Sequence, residues 1–297
     1  MVNLLKFQPI GSSWVALHPA PQGVIFFIGG AFYGTLPTLF YRYFLKHLYS
    51  AGYTIVALPF RFTFRHWAVA RGLLQEQRQL RSGLVELAQR SGYNPEIYNQ
   101  PENFFWIGHS LGCKYLALLE LLSDPQDAEH LSELNAAELD AAELDAAVIS
   151  PFGICNQRSL LMAPDISDTE NAVPRPLATV LNHLGWGVQP DRSQTLNRIR
   201  QSSLFNLTAI ISFSQDTIAG RVTDQDETRS DVRWFLNHLA ERPLLHVELP
   251  GQHLEPIGIQ IGHWIVDGNP WDKGVQRLAN RQLEATVLML LEKLAQR

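Results

Sequence analysis

Residues 103–114 read Asn103-Phe-Phe-Trp-Ile-Gly-His-Ser-Leu-Gly-Cys-Lys114. The uncharged run from Phe104 to Ile107 has the composition of a strand covered on both faces. Gly108-His109-Ser110-Leu111-Gly112 follows, a G-x-S-x-G in which a strand turns sharply into a helix and offers the central hydroxyl at the carboxyl end of a sheet. The pentapeptide alone is a weak signal, so its flanks decide. A buried strand stands directly before it, and the helix-forming run Cys-Lys-Tyr-Leu-Ala-Leu-Leu-Glu stands directly after it. Ser110 is then expected at strained dihedrals, and side chains at 108 and 112 would collide with the neighbouring strand and helix. His109 is expected to orient its neighbours rather than to react.

Outward from this turn, short β-branched and aromatic runs alternate with long amphipathic stretches, the pattern of a parallel sheet wrapped by helices. Strands are predicted at 14–18, 24–28, 54–58, 103–107, 146–150, 207–212 and 244–249. Helices are predicted at 37–50, which opens on Pro37 and stops at Gly52, and at 66–90, 111–122, 229–241 and 275–295, where apolar residues recur every three or four positions. The expectation is a single α/β domain over 1–297, with a mostly parallel central sheet and helices on both faces. Two stretches interrupt the alternation. Residues 135–147 repeat an Ala-Ala-Glu-Leu-Asp unit, a helix-prone and solvated expansion. Residues 153–204 contain Pro164, Pro174, Pro176 and Pro190, exceed an ordinary loop, and are expected to form a cap or lid. The apolar side chains of that stretch, Leu160, Leu161 and Met162 among them, fit either a pocket lining or core packing.

If Ser110 is a nucleophile, a base must take its proton and an acid must hold that base, and on this fold they follow in the order serine, acid, histidine. The strand 207–212 runs into Phe213-Ser-Gln-Asp216, which places Asp216 just beyond a strand's carboxyl end. Asp165, Asp224 and Asp226 compete less well, the first in the cap and the others farther out in a polar loop. The strand 244–249 is followed by Pro250-Gly-Gln-His253, so His253 is the expected base. His246 lies inside that strand, His238 lies on a helix, and His263 is the reserve. A tetrahedral oxyanion needs two backbone donors. Gly29-Gly30 after the strand 24–28 forms the oxyanion loop, with the amides of Leu111 and of Ala31 or Phe32 as donors.

Composition excludes other classes. The 297 residues are 46% hydrophobic and 18% charged, with a net charge of −5 and no basic run, so nucleic acid is not an expected partner. Two cysteines, Cys113 and Cys155, point away from a disulfide framework towards free thiols in a reducing compartment. The first nine residues lack a secretory pattern, and the longest apolar run, 24–32, falls well short of the about 18 residues of a spanning helix. A soluble cytoplasmic protein is expected. No His, Cys or carboxylate cluster has metal-ligand spacing, so neither metal nor cofactor is expected.

These residues resemble the α/β-hydrolase superfamily, with Ser110, Asp216 and His253 matching its triad and Gly29-Gly30 its oxyanion loop. More closely, Phe27-Ile-Gly-Gly-Ala-Phe32 together with Ile107-Gly-His-Ser-Leu-Gly-Cys-Lys114 looks like the cyanobacterial and plastid group called domain of unknown function 1350, which for relatives implies the plastid stroma as another location. Ile28 departs from the histidine that precedes the glycines in many esterases. The function expected is a serine hydrolase acting on a small-molecule ester, thioester or acyl-lipid. Acyl transfer differs from it only in what reaches the acyl-enzyme, and the reading from another class is a non-catalytic ligand-binding or scaffolding protein on the same fold.

Overall fold

Unbroken apolar runs become the interior strands of one eight-stranded sheet in the computed structural model, which describes residues 5–124, 153–166, 168, 187–266 and 275–297. Its strands are β1 (Gln8–Ile10), β2 (Ser13–Ala16), β3 (Gly23–Ile28), β4 (Tyr53–Ala57), β5 (Phe104–His109), β6 (Arg158–Met162), β7 (Thr208–Phe213) and β8 (Leu245–Leu249). A second, three-stranded antiparallel sheet holds β9 (Ile259–Ile261), β10 (Trp264–Val266) and β11 (Val275–Arg277). The helices are α1 (Pro37–Phe40), α2 (Arg42–Ser50), α3 (His66–Arg90), α4 (Leu111–Ser123), α5 (Arg192–Gln201), α6 (Asp231–His238) and α7 (Leu283–Ala295).

The main sheet runs β1-β2-β4-β3-β5-β6-β7-β8. Every pair from β4 to β8 is parallel, and β1 and β2 close one edge antiparallel. Side chains alternate across a strand, so each interior strand feeds two cores. Val24, Phe26 and Ile28 join α3, α4, α5 and α6 on one face, while Ile25 and Phe27 join α2 and α7 on the other. Phe26 lies beside Trp106 in register, and the rings stack at 4.7 Å between centroids. On α7, Leu290, Leu291 and Leu294 are buried, each contributing about 2 kcal/mol of apolar burial.

Four expectations are corrected. The strand between β5 and β7 is Arg158–Met162, inside the stretch read as a cap, and Leu160, Leu161 and Met162 are fully buried in the sheet. Residues 153–162 therefore belong to the sheet and its approach, and α5 packs Leu196 and Ile199 into the core. The positions 146–150, the repeat 135–147 and most of 167–186 lie outside the described residues. Residues 275–277 pair with β10 instead of opening the last helix: the three-residue spacing of Val275 and Leu278 favours a helix locally, and the strand partner overrides it. The helix at 37–50 breaks at Tyr41, whose φ of −104° and ψ of 19° end α1 before α2 begins. The helix at 229–241 shortens to Asp231–His238, opened by Ser230, whose hydroxyl accepts from the Arg233 amide.

Candidate active site

The elbow is a packing problem solved by small residues. Ser110 has φ 54° and ψ −125°, outside the regions a serine ordinarily occupies. Its N–H donates to the Met162 carbonyl at 3.0 Å, and its carbonyl accepts from the Cys113 and Asp165 amides at 2.9 and 3.4 Å. A Cβ at Gly112 would stand 2.2 Å from the Ile28 oxygen, and one at Gly30 would stand 3.0 Å from Ser110 Cβ. The first turn of α4 thus rests directly on the carboxyl end of β3, which brings the double-glycine loop against the serine.

Ser110, Asp216 and His253, from loops behind β5, β7 and β8, meet at this end of the sheet. Asp216 can only accept as a carboxylate, so His253 Nδ1–H donates to Asp216 Oδ2 at 2.9 Å. His253 Nε2 then accepts from the Ser110 hydroxyl at 2.7 Å. Asp216 Oδ1 takes the amides of Ile218 and Ala219 at 2.8 and 3.0 Å, which saturates the carboxylate and fixes its plane. Asp216 is 1% exposed and Ser110 7%, so the carboxylate is sealed while the hydroxyl keeps an opening.

The competing residues are engaged elsewhere. Asp224 pairs with Arg221, and Asp226 accepts from Thr228. His246 bonds Ser212 Oγ, His238 stacks on Trp234 and pairs with Glu227, and His263 is exposed at the turn between β9 and β10. The Asp165 amide donates to the Ser110 carbonyl, and the residue lines the cavity over the serine. Cys113 Sγ donates to the Met162 carbonyl at 3.4 Å, and both cysteines are free thiols.

The double-glycine loop leaves β3 at Gly29. The Gly30 amide is taken by Tyr41 Oη, so the amides of Ala31 and Phe32 are the ones that follow it along the cavity wall. Phe32 has φ 60°, and its exposed ring stacks on Phe62 at 4.8 Å. Leu111 is the first residue of α4, and its amide has no intrahelical acceptor. These amides border a cavity of about 280 Å³ whose walls are mainly apolar, with Leu111, Val188, Ile218 and Leu254 among them.

Three buried groups lie near the site: His109, which the elbow motif already marks, and His66 and Lys114, which carry no signal in the local sequence pattern. His109 is fully buried, and its Nε2 lies 2.8 Å from the His253 carbonyl. Burial, and then the proximity of His253, push His109 down to about 3, so it is neutral. Burial and Lys114 likewise push His66, on the cavity wall, down to about 3. One turn along α4 from the serine, Lys114 donates to the Pro190 carbonyl at 2.7 Å. Burial lowers its ammonium to about 8, against the pull of Asp165, Asp168, Asp231 and Asp191. A lysine in an apolar helix reads from sequence as a surface residue, whereas here it ties α4 to the segment entering α5.

A mostly parallel sheet, a serine at a strained strand-to-helix elbow, and an acid and a histidine behind later strands define the α/β-hydrolase fold. Within that class, the chain belongs to the family described as protein of unknown function (DUF1350), whose model matches residues 6–280. Solved structures with the same fold include an esterase from Pyrococcus furiosus, at 13% identity over 95% of this chain and 85% of that one, with a TM-score of 0.52. Esterase B from Lactobacillus rhamnosis is similar at 10% identity over 96% and 81%, TM-score 0.52. An esterase from Thermogutta terrifontis is similar at 15% identity over 94% and 88%, TM-score 0.51. No curated protein matches the sequence. At these identities the likeness establishes the fold. Among the described residues no helix is long and apolar enough to cross a membrane, and no group of three His, Cys, Asp or Glu side chains is placed to hold a metal ion.

Proposed function

We propose that the protein is a serine hydrolase that cleaves the ester or thioester of a compact, largely apolar acyl group, acyl-lipids included, through an acyl-enzyme at Ser110. The observation that carries this reading is the His253 ring, which bridges Ser110 Oγ and Asp216 Oδ2 at 2.7 and 2.9 Å. His253 Nε2 takes the hydroxyl proton as Oγ attacks the carbonyl carbon, and the oxyanion that forms turns towards the amides of Leu111 and of Ala31 or Phe32. The imidazolium, held by Asp216, then gives its proton to the leaving alcohol or thiol as the scissile bond breaks. Water, deprotonated by the same nitrogen, attacks the acyl-enzyme, and Oγ leaves with the proton. Side chains, amides and water supply every step.

Pocket size supports the acyl preference, since about 280 Å³ lies at the lower edge of small-molecule sites. Among esterases of this fold, the T. terrifontis enzyme is solved with butyrate bound and L. rhamnosis esterase B with a tributyrin phosphonate. Asp165 and Val188, from the stretch read as a cap, border the same cavity and are proposed to shape its acyl end.

A fluorophosphonate probe tests the reading. The intact protein is expected to take one label, mapped by mass spectrometry to Ser110, and a panel of p-nitrophenyl esters then gives the preferred chain length. A folded wild-type protein without label on Ser110 would transfer the fold to the ligand-binding class.

A further inference from the structure

Tyr41 occupies the break between α1 and α2 and is completely buried. A Cβ on Gly29 would meet its ring at 2.7 Å, so the ring is wedged beneath the double-glycine loop. Its Oη lies 2.7 Å from the Gly30 nitrogen and 2.8 Å from His109 Nδ1. The direction of each hydrogen bond follows from chemistry. An amide N–H only donates, so the phenol oxygen accepts from Gly30 and sends its own proton to His109 Nδ1. A neutral imidazole with an accepting Nδ1 carries its hydrogen on Nε2, and that N–H meets the one partner at 2.8 Å that only accepts, the His253 carbonyl.

Three bonds therefore run one way, Gly30 to Tyr41 to His109 to His253, from the oxyanion loop through the elbow to the main chain of the base. The rings reinforce the order, with centroids 5.6 Å apart for Tyr41 and His109 and 5.3 Å for His109 and His253. Because burial keeps His109 neutral down to about 3, its Nδ1 goes on accepting from Tyr41 across the neutral pH range.

We infer that Tyr41 and His109 are positioning residues of the hydrolytic site, whose hydrogen-bond chain holds the oxyanion loop and the His253 backbone in register with Ser110. This inference rests on the serine hydrolase reading. Tyr41 does not line the cavity, so its oxygen acts on bond making and not on substrate binding. By occupying the Gly30 amide it leaves the amides of Ala31 and Phe32 to face the oxyanion. By fixing the His253 carbonyl, His109 fixes the pivot of the catalytic ring. Transition-state donors must be preset to this degree, since a shift of about 1 Å costs about a hundredfold in rate.

The test uses Tyr41→Phe, which deletes one oxygen and keeps the ring, and His109→Gln, which can replace only one of the two imidazole bonds. Saturation kinetics of Ser110 phosphonylation by the fluorophosphonate separate the maximal rate from the half-saturating concentration, with no need to know the natural substrate. For Tyr41→Phe we expect the maximal rate to fall 10- to 100-fold, the half-saturating concentration to stay within threefold, and a trifluoromethyl ketone, whose hydrate-like adduct needs the oxyanion donors, to weaken by the same factor as the rate. A purely structural role would lower the melting temperature and leave the maximal rate at 20 °C unchanged, and that result overturns the inference. If Tyr41→Phe does not fold, His109→Gln decides, with the same rate-only loss expected and an unchanged rate overturning the proposal. A wild-type protein that labels alongside two variants of equal rate refutes the positioning role alone. A wild-type protein that does not label refutes the hydrolase reading and this inference with it.

Discussion

The imidazole of His109 donates to the main-chain carbonyl of His253 at 2.8 Å, although 144 positions separate the two residues. One histidine belongs to the elbow and the other is the ring that faces Ser110. The residue just before the serine of a strand-to-helix motif thereby becomes a strut between strand ends on opposite sides of β6.

That strut makes stability depend on pH in a way specific to one residue. His109 is held at about 3 in the folded protein against 6.5 when exposed. The unfolded chain therefore binds the extra proton as pH falls below about 6.5, and the folded chain does not until about 3. Stability from this source is present above 6.5 and declines by about 1.4 kcal/mol per pH unit between those limits. His109→Gln lacks this term, so its deficit relative to wild type should shrink by that slope between pH 6.5 and 4.5, as measured by urea unfolding.

Asp216→Asn should be worse than a simple loss of charge. Both carboxylate oxygens accept, one from His253 Nδ1–H and the other from the Ile218 and Ala219 amides, so either orientation of an asparagine NH2 confronts a donor. The expected result is a loss of about 10³ to 10⁴ in kcat from the wrong tautomer, together with a lower melting temperature. Steady-state kinetics and calorimetry on the same preparation check both.

Ser110 carries backbone strain that its replacement can release. At φ 54° a Ser110→Ala variant keeps the strain and loses the chemistry, whereas Ser110→Gly relieves about 1–3 kcal/mol. Both variants should be inactive, with glycine melting at the higher temperature. Equal melting temperatures would argue against strain at the elbow.

Two glycines should respond to alanine in opposite directions. Gly112→Ala forces a methyl to 2.2 Å from the Ile28 carbonyl, an immovable strand end, and should destabilise by about 2 kcal/mol or more. Gly72, on the exposed side of α3, has nothing within 4 Å, and Gly72→Ala should stabilise by about 1 kcal/mol. Denaturant titration of both variants gives the contrast.

What could be read from the chain was whatever nearest-neighbour chemistry encodes. Ser110, Asp216 and His253 each follow an apolar strand within a few residues, so their placement at one sheet end was visible before any distance. β6 escaped because its apolar core is only Leu160, Leu161 and Met162, close to Pro164, and because strand pairing is a long-range event. The strands β9 to β11 have three residues apiece, too few to display a period. Tyr41 was invisible for another reason. Its partner is 68 positions away, and an aromatic residue in an amphipathic stretch reads as core whether or not its hydroxyl is spoken for.

The Gly30 amide lies in a loop rather than a strand, and loop amides usually trade their hydrogen for solvent deuterium quickly. This one is bonded to a buried phenol whose own proton is committed to a buried ring. Its hydrogen can escape only when helix break, elbow and histidine loop separate together. Gly30 should therefore exchange at the rate of the central strands, and the carboxyl end of the sheet around Ser110 should open as a single cooperative unit.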